Sequence, residues 1–509
     1  MKDTLRQSMG WLHTWCGLLL GWVLFGVLLT GSLAVFYTEI NLWTTPELRS
    51  PVTIDRTHAV RMGRAYLTRV APDARQWRIV IPTPREQVLR LVWTDRAGKA
   101  TTHRLDPQTG ARIPRDMDAG FFFMRYHYTL GIDRKSSQLG FLIVGAAGLA
   151  MLAASISGVI IHKRIFRDFF IFRPEASRQR AWMDAHNVLS VLPLPFHVMM
   201  AYTGLVLIYY AYIPAGVAML NGGDVKAYQT AAAQSLYIDR GIDGDRPPGA
   251  PRRTVDLAAL LPRAERAWGG GPAVNIYVSQ PDRADAVVEI WRQRDDRIAN
   301  FPDRVDFAGS DGKLLRVLVK RSPARETQAF LAGLHFIEWG GAAARWLYFL
   351  TGLASAAMVA AGLILFTEKR ARKTMSPFQA MASRITVAAV AGNVIACAAY
   401  LHGERLLAPG MDDRRAMAAS VYFLAWLASL IHAGLRPWGR AWGEQLQLAA
   451  LLCLSLPVTS ALANLPLTTT LPRGGGIRAG ADLTATAIGI VLWIAAARVT
   501  RRTNAQVNP

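Results

Sequence analysis

The chain has very little cysteine: 3 in 509 residues, at Cys16, Cys397 and Cys453, all inside apolar stretches. No CxxC pair occurs, which excludes a paired-thiolate metal site and a covalently attached CxxCH haem. No Gly-x-Gly-x-x-Gly fingerprint follows a strand-like segment, so no nicotinamide domain is visible. Acidic residues are outnumbered, with 36 Asp and Glu against 58 Lys and Arg, a formal charge of +22. The excess does not mark a nucleic-acid binder, because no base-reading motif or zinc finger accompanies it. In several long stretches, charge of either sign is missing altogether.

Residues 15–37, 139–161, 188–220 and 346–366 contain no Asp, Glu, Lys or Arg. Each reaches the roughly 20 residues needed to cross a bilayer. Weaker apolar stretches follow at 385–401, 416–431, 446–465 and 483–497. The expected fold is therefore an all-α membrane bundle of about eight spans. The first apolar segment is too long for a signal peptide and lacks a small-residue exit, so it reads as an uncleaved anchor. Basic clusters sit at helix ends: Lys2 and Arg6, six Lys or Arg in 163–180, four in 369–373, and Arg501-Arg502. By the positive-inside rule they place both termini in the cytoplasm.

The expected order along the chain is a first span in 1–38, an outer insertion in 39–124 and a second span in 125–162. A cytoplasmic loop fills 163–185. The third span (186–220), a second outer insertion (221–327) and the fourth span (328–367) follow. A loop at 368–384 leads to spans five to eight in 385–500 and a tail at 501–509. Each insertion reads as a small α+β domain. The first has a helix at 58–70 and strands at 76–81, 88–94 and 101–105, closed by the turn Asp106-Pro107-Gln108-Thr109-Gly110. The second repeats that order, with a helix at 256–268, strands at 273–279 and 286–292, a Gly309-Ser310-Asp311-Gly312 turn and a strand at 314–319.

The flanking helices repeat too. His13 precedes Thr30-Gly31 by 17 residues, and His186 precedes Thr203-Gly204 by the same 17. His127 precedes Gly148-Leu149 by 21, and His335 precedes Gly352-Leu353 by 17. The unit helix–insertion–helix thus occurs twice in the same direction, which implies a pseudo-two-fold axis along the membrane normal. Ionisable residues in spans are costly and usually functional, and neutral imidazole is a common ligand of non-covalent haem. Two-fold symmetry pairs His13 with His186 near one face and His127 with His335 near the other. His197, eleven residues after His186, and His162, beside Lys163 and Arg164, are further candidates. His58, His103, His402 and His432 read as surface or interfacial residues.

These residues resemble the PepSY-associated transmembrane family. The likeness is carried by residues 10–37 with His13 and Thr30-Gly31, and by the turn at 106–110. Ser157-Gly158-Val159-Ile160-Ile161-His162-Lys163-Arg164, Asp184-Ala185-His186-Asn187, Leu194-Pro195-Phe196-His197 and Leu334-His335-Phe336 continue it. The likeness covers about residues 1–373. It implies periplasmic PepSY-like domains, often iron-regulated expression, and relatives that are haem-binding reductases releasing iron from ferric siderophores. It also implies haem ligation by His13, His127, His186 and His335. The expected function is a di-haem b-type reductase that passes electrons across the membrane to a ferric chelate, with quinol or a separate reductase as donor. Two other readings stand beside it: a sensor or peptidase-regulating protein with structural histidines, and a permease for iron or a siderophore.

Overall fold

The structure, a computed structural model, describes residues 2–48, 55–132, 137–162, 173, 177–209, 219, 249–319, 322–371, 376–463, 465–472 and 476–507. Most of the expected loop at 163–176, the end of the third span and the start of the second insertion at 221–248 lie outside the described residues. The chain divides into two compact units. One is helical and comprises Met1–Pro46, Met117–Tyr212 and Ala343–Pro509; the other comprises Glu47–Asp116 and Ile213–Ala342.

In the helical unit, α1 (Lys2–Leu19) and α2 (Gly21–Ala34) lead into the short α3 (Tyr37–Trp43). After the first insertion come α5 (Ala119–Thr129), α6 (Leu139–Ile161), α7 (Arg178–Val191) and α8 (Leu194–Leu207). Among the described residues, six helices are long and apolar enough to cross a membrane, and two bent pairs, α1 with α2 and α7 with α8, bring the number to as many as eight. The bends are 63° and 64°. They fall at the same phase, since Leu20 and Pro193 each stand seven residues after the histidine of their segment. In the second pair the cause is visible, because Pro193 and Pro195 supply no N–H to continue the helix ladder. In the first no proline is present. Gly21 opens α2 there against Leu363, whose Cδ2 a Cβ would meet at 3.2 Å.

The other unit, built from both insertions, holds α4 (Arg56–Val70), α9 (Leu257–Ala267) and α10 (Pro323–His335), described below. The helical unit resumes with α11 (Gly341–Ala371) and α12 (Pro377–Val387), whose start is fixed by a reciprocal Ser376–Gln379 capping box. A π-helical turn at Ala388–Gly392 joins α12 to α13 (Asn393–Leu406). The long helices α14 (Arg414–Leu435), α15 (Trp438–Leu462) and α17 (Gly476–Val507) complete the unit, with the single turn α16 (Leu467–Thr470) between the last two. Hydrogen bonds from indoles tie these later helices to the first ones. Trp22 Nε1 donates to Thr386 Oγ1 at 3.0 Å, and Trp43 Nε1 donates to buried Asp482 at 2.9 Å. In an apolar core such polar contacts fix register, because an unpaired indole N–H there is costly.

The second unit holds one seven-stranded antiparallel sheet, in the order β3-β2-β1-β4-β5-β6-β7. The strands are β1 (Gln76–Val80), β2 (Leu89–Thr94), β3 (Ala100–Leu105), β4 (Ala273–Ser279), β5 (Val287–Arg292), β6 (Arg304–Ala308) and β7 (Leu314–Leu318). The sequence points to two separate α+β domains; the structure joins their strands into one sheet. Strand β1 pairs with β4, Arg78 opposite Tyr277 and Ile79 opposite Ile276. The physical reason is that β1 alone would leave an exposed edge beside Trp77 and Ile79, and pairing with its counterpart removes that edge. Helices α4 and α9 cover one face, burying Val60, Leu67, Ile79, Leu91, Leu260, Ile276, Ile290 and Val305 in one core. Each fully buried aliphatic side chain is worth about 1.5–3 kcal/mol. Arg56–Glu265, Arg61–Asp256 and Arg64–Asp282 bridge the two insertions at 2.6, 2.9 and 3.1 Å.

The insertions also begin and end elsewhere than the sequence suggests. The first is narrower than 39–124, because α3 and α5 pack with the membrane helices. The second runs past 327 and takes α10, with His335, into the sheet unit. Strand β6 is not expected from the sequence. Its residues Arg304 and Asp306 are buried, at 0 % and 2 % exposure, beside Glu289 at 1 %. Val305 and Phe307 fill the core face, and the ion pairs of Arg304, 2.6 Å to Asp306 and 3.3 Å to Glu289, bury charge on the opposite face.

Candidate functional site

The structure brings His13 of α1 and His186 of α7 together. Their rings meet edge to face, with centroids 6.0 Å apart and planes at 78°. The two rings are held in the same way. His13 Nδ1 lies 3.0 Å from the carbonyl oxygen of Ala154, and His186 Nδ1 lies 2.9 Å from that of Met358. Four residues beyond each carbonyl is a glycine against the ring: Gly158 under His13 and Gly362 under His186. A Cβ on Gly158 would meet His13 Cε1 at 3.4 Å, and one on Gly362 would meet His186 Cε1 at 3.1 Å.

His127 of α5 repeats the arrangement. Its Nδ1 lies 2.8 Å from the carbonyl of Val27, and Gly31, four residues on, lies against the ring. A Cβ there would come within 2.5 Å of Nδ1. The carbonyl and glycine belong to adjacent turns of one helix face, since four residues is about one turn. Without the glycine, the next turn's side chain would occupy the place of the imidazole. The i, i+4 arrangement therefore recurs at three of the four histidines expected as ligands.

The carbonyl contacts decide the chemistry of each ring. A carbonyl only accepts, so Nδ1 must donate, and a neutral ring then carries its lone pair on Nε2. That is the tautomer a metal-binding histidine needs, with the carbonyl fixing the ring's orientation. The separation also suits one metal between two rings. A metal–imidazole bond of about 2 Å on each side puts the two ring centres about 6 Å apart. The two imidazoles of this pair thus have the chemistry that would hold a haem. Among the described residues, no group of three or more His, Cys, Asp or Glu is arranged to hold a bare metal ion.

The remaining candidates stand as follows. His335 ends α10 in the sheet unit, its ring edge-on to Phe336. His162 ends α6, and its Nδ1 is buried without a hydrogen-bond partner among the described residues. His197 lies in the first turn of α8, 1 % exposed, and its Nε2 has no hydrogen-bond partner among the described residues. His103 is built into the packing of the sheet unit, bonded to Tyr66 Oη at 2.8 Å and edge-on to Trp93. Burial and the nearby charge of Arg112 lower its pKa from the ordinary histidine value. His402 contacts the Leu452 carbonyl at 3.0 Å, and His432 contacts Glu444 at 2.8 Å.

Sequence reasoning supplied the histidines but not what holds them. Gly31 stands in the sequence as a repeat landmark and Gly158 in a family-like stretch; their part as ring supports shows only once the facing helix is known. A backbone carbonyl leaves no trace in sequence at all.

Comparison with known proteins agrees with this architecture. A curated relative, an uncharacterized protein of Pseudomonas aeruginosa, is 28% identical over 383 residues, covering 70% of this chain and 91% of its own length. The family model described as the PepSY-associated TM region matches residues 10–369. The bent spans, the inserted sheet and the cross-repeat histidine pair all lie within that match, and the chain belongs to the PepSY-associated transmembrane family.

Proposed function

We propose that this multi-pass membrane protein is a di-haem b-type reductase that passes electrons across the bacterial inner membrane to a ferric chelate, such as a ferric siderophore, on the periplasmic side. The observation that carries the reading is the His13–His186 pair: one imidazole from each half, each locked by a carbonyl at Nδ1, with centroids 6.0 Å apart. His13 and His186 would hold one haem near the cytoplasm. His127, held alike by Val27, and His335 are the proposed outer ligands, the latter by sequence phase.

Haem iron, when bound, supplies a one-electron carrier at each site. The protein's own residues hold and orient the imidazoles, and the apolar helices around them exclude water. Leu18, Phe25, Met151 and Leu363 are buried in the core that surrounds this part of the bundle. Reduction serves iron release because hard oxygen donors hold iron(III) far more tightly than iron(II).

The test is spectroscopic. Protein purified from haem-replete cells is expected to show b-type absorbance on reduction and about two haems per chain. A colourless preparation overturns the reading and favours a PepSY module with structural histidines.

A further inference from the structure

The two halves of the membrane unit are alike in their histidine phase, bends and inner ring supports, and at one buried position a histidine in the second half stands where the first has hydrocarbon. Eleven residues after His13 stands Leu24; eleven after His186 stands His197. Both side chains are buried, at 8 % and 1 % exposure. In the first half the position is filled by hydrocarbon and packs into the bundle core. In the second it holds an imidazole whose Nε2 has no hydrogen-bond partner among the described residues. A pair of ligands on a pseudo-two-fold axis calls for the same residue from both halves. A histidine present in only one half points to a one-sided task.

The setting narrows that task. His197 sits in the first turn of α8, just past the 64° break, its own N–H bonded to the Pro193 carbonyl at 2.9 Å. Broken spans are where membrane proteins place small-molecule sites, because freed backbone groups and a helix start face inward there. The surrounding segment is apolar and open to the outside of the bundle, with Leu192, Val198 and Tyr202 exposed on it. In a membrane protein that outside is lipid, so a ligand reaching His197 sideways comes from the bilayer. His197 follows His186 by eleven residues within one bent pair, which puts the ligand on the same span as one member of the inner histidine pair.

We propose that His197 Nε2 is the hydrogen-bonding anchor of a lipid-soluble hydroquinone, the electron donor of the reaction. The inference rests on the reductase reading and names its missing substrate. A hydroquinone offers an O–H to an imidazole nitrogen, is otherwise apolar, and reaches the site through the membrane. The balance is simple. One hydroquinone loses two electrons and two protons, its two O–H bonds break and two C=O bonds form. Two ferric chelates each take one electron to become ferrous, and both protons pass to water.

The experiment uses the full chain in proteoliposomes and a fluorescent hydroquinone-site ligand, 2-heptyl-4-hydroxyquinoline N-oxide, whose emission falls on binding. The variants are His197→Leu, which copies the first half, and His197→Gln, which keeps a polar group. Haem content is measured on the same samples. Saturable one-to-one binding by the wild type, weakened about tenfold in His197→Leu and less in His197→Gln, with haem unchanged, is the expected result. Equal binding by wild type and His197→Leu overturns the proposal, as does absence of saturable binding in the wild type. Loss of haem from both variants also overturns it, by making His197 a ligand. Histidine-dependent binding in a protein without haem keeps the donor site and removes the reductase reading instead.

Discussion

A Cβ on Gly31 would stand 2.5 Å from Nδ1 of His127, closer than any real contact between such atoms. The carbonyl that His127 bonds belongs to Val27, four residues earlier, so the same helix face both grips the ring and makes room for it.

Alanine at the three ring supports is therefore expected to do graded damage. The contacts are 2.5 Å for Gly31→Ala, 3.1 Å for Gly362→Ala and 3.4 Å for Gly158→Ala. Gly31→Ala should displace His127 and remove about half the haem, Gly362→Ala should shift the spectrum and potential of the inner site, and Gly158→Ala should change little. Haem-to-protein ratio and reduced-minus-oxidised spectra check the series. A flat response would separate the glycines from the histidines they touch.

If His13 and His186 serve one iron, His13→Ala, His186→Ala and the double variant should each lose the same single haem. Two independent sites would instead give additive losses. The pyridine haemochrome assay of the three variants decides between them.

Asp256 has two duties: its Oδ1 caps α9 at the Ala258 N–H, at 3.1 Å, and its Oδ2 pairs with Arg61. The hydrogen bond from Arg61 holds its pKa below the ordinary carboxylate value. A depressed folded pKa means the contribution is complete above the unfolded value and fades as pH falls through the folded one. Asp256→Asn should keep most of the cap and cost well under 1 kcal/mol at neutral pH, since the pair is exposed. Asp256→Ala should cost about 1 kcal/mol through the lost cap. Melting curves at neutral and acid pH test this, with the wild type approaching Asp256→Asn in acid.

Arg304 is wholly buried between Glu289 and Asp306. Arg304→Leu strands two carboxylates in the interior and should cost about 3–5 kcal/mol, enough to abolish accumulation of the folded chain. Replacing all three residues by leucine should recover much of that loss. Protease resistance of the purified variants reads the difference; failure of the triple variant to recover would show that other polar contacts of the cluster matter more.

Much of this fold is legible in the sequence because its signals are local. The strands at 76–80, 89–94, 100–105 and 273–279 fall within a residue or two of their alternation. The inner histidine pair is legible because two segments carry the same spacing to Thr-Gly. What stays hidden is set by distant partners. The bend at Leu20 has no proline to announce it, whereas its twin has Pro193 and Pro195. Strand β6 is five residues long and has only Val305 and Phe307 to signal its core face, while the burial of Arg304 and Asp306 depends on Glu289 in another strand. The pairing of β1 with β4 has no local sign, since either strand alone reads as the edge of its own small domain. His335 illustrates the same limit: its spacing to Gly352 reads as part of a span, yet it closes a helix of the sheet unit.

The β1–β4 seam also sets a timetable. Strand β1 ends at Val80 and its partner begins at Ala273, so nearly two hundred residues must be made before the seam closes. At about 5–20 residues per second, the first insertion waits some 10–40 s with a hydrogen-bonding edge and the apolar flank of Trp77 and Ile79 unclosed. During that interval the nascent chain presents a sticky half-sheet. A factor that shields extended strands would raise the yield of this protein by acting before its second half exists.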